Sequence, residues 1–219
     1  MTLSEEDYIK AVYHLGKGEK QAVSTNAIAE QMETKPSSVT DMIKKLSEKG
    51  LVHYKKYQGV SLTDYGRSIA LSIIRKHRLW EVFLVDTLEF AWDEVHEVAE
   101  QLEHIKSEKL INKLDAFLGF PRIDPHGDPI PDKNGEIKKV NKVLVSECET
   151  GEQGVFVGVK NSSSDFLRYL DKLQLELGTK IEILSKESFD GSFQIRANQE
   201  IRVLSAKAAM NMYIQTVLA

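Results

Sequence analysis

The chain has 219 residues, a 42% apolar share, 28% charged residues and a net charge of −4, which allows one large domain or two to three small ones. It carries no apolar run of about eighteen residues to span a membrane, and its acidic start, Met1-Thr2-Leu3-Ser4-Glu5-Glu6, is expected to be no secretory signal. The lone Cys148 has no partner for an internal disulfide, in keeping with a cytoplasmic protein and with a small packed residue.

The small net charge hides an asymmetry. Lys35 to Arg78 holds about ten Lys and Arg against three Asp and Glu, whereas Leu79 to Glu149 holds about eight against sixteen. A basic segment followed by an acidic one points to a polyanion as partner of the first and cations as partners of the second.

In chain order, Ser4 is expected to open the first helix, with Asp7 three residues on as a capping-box acid. Tyr8, Val12 and Leu15 supply an i, i+4, i+7 apolar face, ended by Gly16 and Gly18. A second helix starts near Ser24 or Thr25 and carries Ile28, Ala29 and Met32. After the turn Glu33-Thr34-Lys35-Pro36, Ser37 or Ser38 is expected to cap a third helix, Val39 to Lys49, with Gly50 beyond its end. Helix, short turn, helix is the helix-turn-helix pattern. Leu51 to Leu62 then reads as a hairpin turning near Gln58-Gly59, which completes a winged helix.

Such a module enters the major groove by the N-terminal end of its second paired helix. Ser37, Ser38, Thr40 and Asp41 occupy that end. Lys44, Lys45, Lys55 and Lys56 are expected to meet phosphates, with Lys35 on the same DNA-binding surface.

Thr63 caps a long helix, about Asp64 to Leu88, that leads into a metal-ligand pattern. His77 and Glu81 are i and i+4 and share a helical face. Asp93 is expected to cap a helix holding His96, Glu100, Glu103 and His104, where the steps of four and three again place imidazole and carboxylates together. Such mixed donors suit Mn, Fe, Zn or Co, whereas all-carboxylate sets suit Mg or Ca. Ser107 caps a further helix through Leu118. Leu84, Leu88, Val95, Val98, Leu102, Leu110, Leu114 and Phe117 exceed what three isolated helices hide, which points to a homodimer interface.

Phe120 to Glu136 holds all but one of the five prolines and reads as a loop, His126 included. From Val140 the pattern changes to short β-like runs, interrupted by a helix from Ser164 to Leu175 and closed by a possible helix from Ala206 to Val217. Small barrels read this way.

Several stretches carry a family resemblance. They are Glu6-Asp7-Tyr8-Ile9, Lys35-Pro36-Ser37-Ser38-Val39-Thr40, Tyr54-Lys55-Lys56-Tyr57-Gln58-Gly59, Lys76-His77-Arg78-Leu79 with Glu81, His96, and Glu100-Gln101-Leu102-Glu103-His104. Through them the chain resembles the diphtheria-toxin-repressor family of metal-dependent transcriptional repressors, and its first two domains look closest to the manganese transport regulator branch. Phe166-Leu167-Arg168-Tyr169-Leu170 and Leu177-Gly178-Thr179-Lys180-Ile181-Glu182 resemble the SH3-like, FeoA-like domain of longer members.

The resemblance implies a mainly α chain with a small β-barrel. Its domains would be a winged helix-turn-helix (1–72), a helical metal-binding and dimerisation domain (73–140) and an SH3-like domain (141–219). It implies a principal metal site of Asp7, Glu100, Glu103 and His104, and an ancillary site of His77, Glu81 and His96. Capping alone would also satisfy Asp7. Glu100 stands where iron-type relatives have cysteine, and this favours a harder metal. Lys10 stands where the manganese branch has a glutamate ligand, whereas His96 is an iron-type trait. The family's third-domain ligands, a Glu and a Gln, fall at Val157 and Lys160, neither of which can ligate, so Asp165 nearby or another group would substitute.

The expected function is metal-dependent repression, with Mn(II) or alternatively Fe(II) ordering a homodimer for palindromic operator DNA near metal-uptake genes. Zn(II), Co(II) or Ni(II) would substitute in vitro, and neither an organic cofactor nor a membrane partner is expected. The competing classes are a winged-helix sensor of an organic ligand and a di-metal enzyme. The latter usually needs several Glu-x-x-His motifs, and this chain has one.

Overall fold

The computed structural model describes residues 1–18, 21–138 and 140–216. The chain divides into two compact units. One comprises Met1–His77, Glu100–Ile111 and Pro131–Glu136; the other comprises Arg78–Ala99, Asn112–Ile130 and Ile137–Ala219.

In the first unit, α1 (Leu3–Leu15) is capped by Thr2 instead of Ser4. Thr2 Oγ1 accepts from the Glu5 N–H at 3.3 Å, and Glu5 Oε2 accepts from the Thr2 N–H at 3.1 Å. A capping box needs an acid long enough to bend back on the cap, and Glu5 has the methylene that Asp7 lacks. Helix α2 (Thr25–Gln31) starts as expected, with Ser24 Oγ accepting from the Ala27 N–H. Helix α3 (Pro36–Glu48) starts before either candidate serine, because Pro36 takes the first helical position. Its fixed φ and missing N–H suit that place. Ser37 and Ser38 therefore lie exposed in the first turn, and Gly50 follows the helix with φ +69°.

The wing is the hairpin β1 (Val52–Lys55) and β2 (Gly59–Leu62), paired from Val52↔Leu62 to Lys55↔Gly59. Val23 adds a bridge to Val60. Thr63 Oγ1 accepts from the Gly66 N–H at 2.9 Å at the start of α4 (Asp64–Leu88). Gly66 is required there, since a Cβ would lie 1.9 Å from the Leu51 carbonyl oxygen. Ile9, Ile28, Val39, Ile43, Leu46 and Val60 form the solvent-free core. Burying each such side chain contributes roughly 1.5–3 kcal/mol.

Helices α4, α5 (Val95–Leu102) and α6 (Glu108–Phe117) contribute residues to both units. Helix α5 stops short of the expected end, so Glu103 and His104 lie in the following turn, closed by the Ile105 N–H donating to the Leu102 carbonyl. Of the apolar residues assigned to an interface, Leu84, Val95 and Leu114 are buried, whereas Leu88, Leu110 and Phe117 are exposed.

The second unit holds an antiparallel sheet of β3 (Val143–Leu144), β4 (Gln153–Val159), β5 (Lys180–Lys186), β6 (Phe193–Ala197), β7 (Glu200–Leu204) and β8 (Met212–Thr216). The order is β3-β8-β4-β5-β6-β7. Helix α7 (Ser164–Lys172) packs Leu167 and Leu170 into a core with Phe156, Ile183, Ile195 and Ile214. The helix expected over 206–217 is confined to α8 (Ala206–Ala209), and Met212–Thr216 is β8; Val217 lies outside the described residues. Met212 and Ile214 alternate inward between polar neighbours, which is strand periodicity. The 120–130 loop lies against β4. The Val159 N–H donates to the His126 carbonyl, and a Cβ on Gly127 would fall 2.0 Å from the Val157 carbonyl oxygen. Among the described residues, no helix is long and apolar enough to cross a membrane.

Candidate metal centre

In the first unit, the first turns of α1 set Lys10 at i+4 from Glu6 and at i+3 from Asp7, so both acids border the same lysine. The end of α5 and its turn bring Glu100, Glu103 and His104 to these residues, and His77 of α4 joins them. Ligand atoms of Asp7, Glu103 and His104 lie within 4.8 Å of one another.

Each His104 ring nitrogen has a carboxylate beside it. Nδ1 lies 2.8 Å from Glu6 Oε2, and Nε2 lies 3.2 Å from Asp7 Oδ1. Asp7 Oδ1 is nevertheless buried without a hydrogen bond, because the short approach to Nε2 lacks the alignment of one. If Nδ1–H donates to Glu6, the neutral ring turns its Nε2 lone pair toward an acceptor oxygen. Two lone pairs facing each other are relieved by a cation between them, a proton or a metal ion, and a carboxylate fixing the far nitrogen is the usual support of a histidine ligand. Two carboxylates and an imidazole suit a divalent transition ion. The residues present fit such an ion. Burial pushes the Asp7 carboxyl above its ordinary value, opposed by the charges of His104 and Lys10.

The other side of the cluster already holds a cation. Lys10 Nζ donates to Glu100 Oε1 at 2.6 Å and to both Glu103 oxygens at 2.7 and 2.8 Å. His77 Nδ1 meets Glu103 Oε2 at 2.7 Å and lies 3.8 Å from Glu100. Glu103 is fully buried. Burial raises its pKa, but the His77 hydrogen bond and the Lys10 charge outweigh that and hold it below the ordinary value.

In the second unit, Glu81, Asp124 and His126 are all buried with ligand atoms within 4.8 Å of one another. His126 Nδ1 and His96 Nδ1 each lie 3.5 Å from Glu81 Oε1, and His96 is half exposed. His126 Nε2 meets the Trp92 carbonyl at 2.7 Å. Asp124 Oδ1 accepts from the N–H groups of His126 and Asp128, and Arg78 Nε lies 3.3 Å from Asp124 Oδ2. Burial pushes the Asp124 carboxyl up, reinforced by Glu81 and opposed by Arg78. Burial alone would lower His126, but Glu81 and Asp124 reverse this and raise it to about 9. Asp165 is fully exposed and pairs with Arg168 at 3.7 Å, outside this cluster.

Sequence reasoning gives no ligand role to Glu5, Glu6, Asp124 or His126. Glu5 and Glu6 stand in the acidic start, and Glu6 also in a stretch of family resemblance. Asp124 carried no signal, and His126 was hidden in a proline-rich loop.

On the DNA-facing module, Lys35, Ser37, Ser38, Asp41, Lys44, Lys55 and Lys56 are exposed, and Thr40 is partly so. Thr40 Oγ1 donates to the Pro36 carbonyl, and Lys44 pairs weakly with Asp41 at 3.6 Å. Lys45, expected to meet phosphate, is half exposed, and its ammonium lies 2.8 Å from the fully buried Glu5.

Residues 1–60 match the iron dependent repressor N-terminal DNA binding domain, residues 63–132 the iron dependent repressor metal binding and dimerisation domain, and residues 143–216 the FeoA domain. A diphtheria toxin repressor of Corynebacterium glutamicum is 33% identical over 197 residues, covering 83% of this chain and 84% of that protein. The iron-dependent repressor IdeR of Mycobacterium bovis is 34% identical over 128 residues, covering 58% of this chain and 54% of that protein; the match spans about half that relative's length. A solved structure of a manganese-dependent transcriptional repressor in complex with manganese superposes with a TM-score of 0.88 at 34% identity, covering 97% of this chain and all of that one.

Proposed function

Because this chain belongs to the diphtheria-toxin-repressor family of metal-dependent transcriptional repressors, we propose that it represses transcription when a divalent metal is bound at Asp7, Glu103 and His104. Mn(II) is favoured and Fe(II) is the alternative. The bound ion supplies a positive charge that carboxylate and imidazole lone pairs share. The observation that carries the reading is the buried Asp7 Oδ1, which faces His104 Nε2 at 3.2 Å with no hydrogen bond.

The residues around that pair have separate tasks. Glu6 fixes the His104 ring, and Asp7 ties the first helix to the turn after α5. Glu100 and His77 border the site through Lys10 and Glu103. Glu81, Asp124 and His126, with His96 at the edge, are a second candidate site; its buried imidazole and carboxylates favour that assignment. The chain functions as a homodimer on palindromic operator DNA in the cytoplasm and controls metal-uptake genes. Its domains are 1–72, 73–140 and 141–219. Ser37, Ser38, Thr40 and Asp41 meet base edges, whereas Lys35, Lys44, Lys55 and Lys56 meet phosphates.

Metal shifts DNA binding only by its preference for the binding-competent state. A fivefold to 150-fold gain corresponds to about 1–3 kcal/mol. Duplex DNA enriched by the protein from a random pool, titrated with and without Mn(II), tests this. Equal affinity in both conditions rules the coupling out, and a response to Fe(II) with none to Mn(II) reverses the metal preference.

A further inference from the structure

We propose that Glu5 is the positioning residue that links the metal centre to the recognition helix α3. This rests on the metal-dependent reading above. Glu5 has no solvent exposure. Its carboxylate accepts from Lys49 Nζ at 2.7 and 2.9 Å and lies 2.8 Å from Lys45 Nζ. Lys45 and Lys49 are i and i+4 at the C-terminal end of α3, so one carboxylate grips two successive turns of that helix.

The position of Glu5 along α1 makes the grip relevant to metal. Glu5 is followed at once by Glu6, which holds His104 Nδ1, and by Asp7, which faces His104 Nε2. One turn of helix thus presents one acid to α3 and the next two to the metal centre. The same turn is stiffened by the Thr2–Glu5 capping box, in which Glu5 Oε2 also accepts the Thr2 N–H. Any movement of Asp7 on binding an ion moves Glu5, and with it the end of α3. Behind this contact, Ile9 and Val12 of α1 share a core with Ile43 and Leu46 of α3, which gives the two helices a packed surface to move against.

Glu5 also withdraws two lysines from the phosphate-facing charge of the module. Its removal releases both, which raises metal-independent affinity for DNA of any sequence. A residue that only supported the fold would weaken DNA binding equally with and without metal. A linking residue changes the ratio of the two.

The test uses full-length protein, Mn(II) and the duplex enriched by the wild type. E5Q keeps the side-chain length and an oxygen for the Thr2 N–H but loses the charge. The wild type should bind the duplex fivefold to 150-fold tighter in Mn(II). In E5Q that ratio should fall toward one, chiefly because metal-free binding strengthens. By reciprocity, the duplex should tighten Mn(II) binding in the wild type and leave it unchanged in E5Q. K45Q/K49Q should also lower the ratio, but without the gain in metal-free affinity because the released ammonium groups are gone, and the triple variant should match it. Should E5Q fail to fold, E5Q/K45Q/K49Q decides, since it removes the buried charge together with both of its partners. A wild-type ratio retained by the folded variants overturns the role of Glu5 and leaves the metal reading standing. A wild-type ratio of one removes both.

Discussion

Replacing Lys10 by Met removes an ammonium that contacts three carboxylate oxygens at 2.6–2.8 Å and keeps the side chain's length. Glu100 is partly exposed and water compensates it, so its share of the loss is small. Glu103 has no solvent exposure. Stripping one partner from a buried pair costs about 3–5 kcal/mol. His77 still holds one Glu103 oxygen at 2.7 Å, which places the metal-free K10M loss nearer ~2–3 kcal/mol. For a chain of this size that is a fall in melting temperature of roughly 4–12 °C.

The assay is thermal and urea unfolding in chelator, repeated with Mn(II). Without Lys10, the burial of Glu103 meets less opposition and its carboxyl rises from the lowered value. A lowered carboxyl contributes stability that is present above its unfolded value and lost as pH falls through the folded one, so K10M gives up stability where the carboxyl is ionised. The K10M deficit should therefore deepen as pH rises. Mn(II) should recover more stability in K10M than in the wild type, because binding to the native state alone adds stability. A chelated K10M that melts within about 1 °C of the wild type at neutral pH, or loses stability equally at all pH, would refute the view that Lys10 neutralises Glu103.

Glu6→Gln should weaken Mn(II) binding about 10-fold to 100-fold in calorimetry while the fold is kept, as expected for the group that fixes a ligand's far nitrogen. Lys44→Ala should weaken binding to all duplexes alike and lower the salt slope by about 0.9, whereas Ser37 or Ser38 substitutions should change which sequence is enriched. His126, raised to about 9 from 6.5, contributes stability that is full below pH 6.5 and lost as pH rises through about 9. Urea unfolding in chelator should show that decline and H126Q should flatten it; an unchanged slope in H126Q refutes the Glu81–His126 pairing.

Local order was largely readable from the residues. Ser24, Thr63 and Ser107 cap where their spacing indicates, the wing turns near Gly59, and the acid-rich stretch after Glu94 carries the candidate ligands. These features depend on neighbours three or four residues apart, and periodicity encodes such neighbours. The shifted starts of α1 and α3 were also local, but they were decided by competition between residues that a pattern alone ranks equally. Tertiary structure settled what distance in sequence conceals. Lys10 neutralises Glu103 from 93 residues away, Glu5 grips Lys49 from 44, and His126 reaches from its loop to Glu81. A buried charge must find a partner wherever folding brings one. No spacing along the chain records which partner that is.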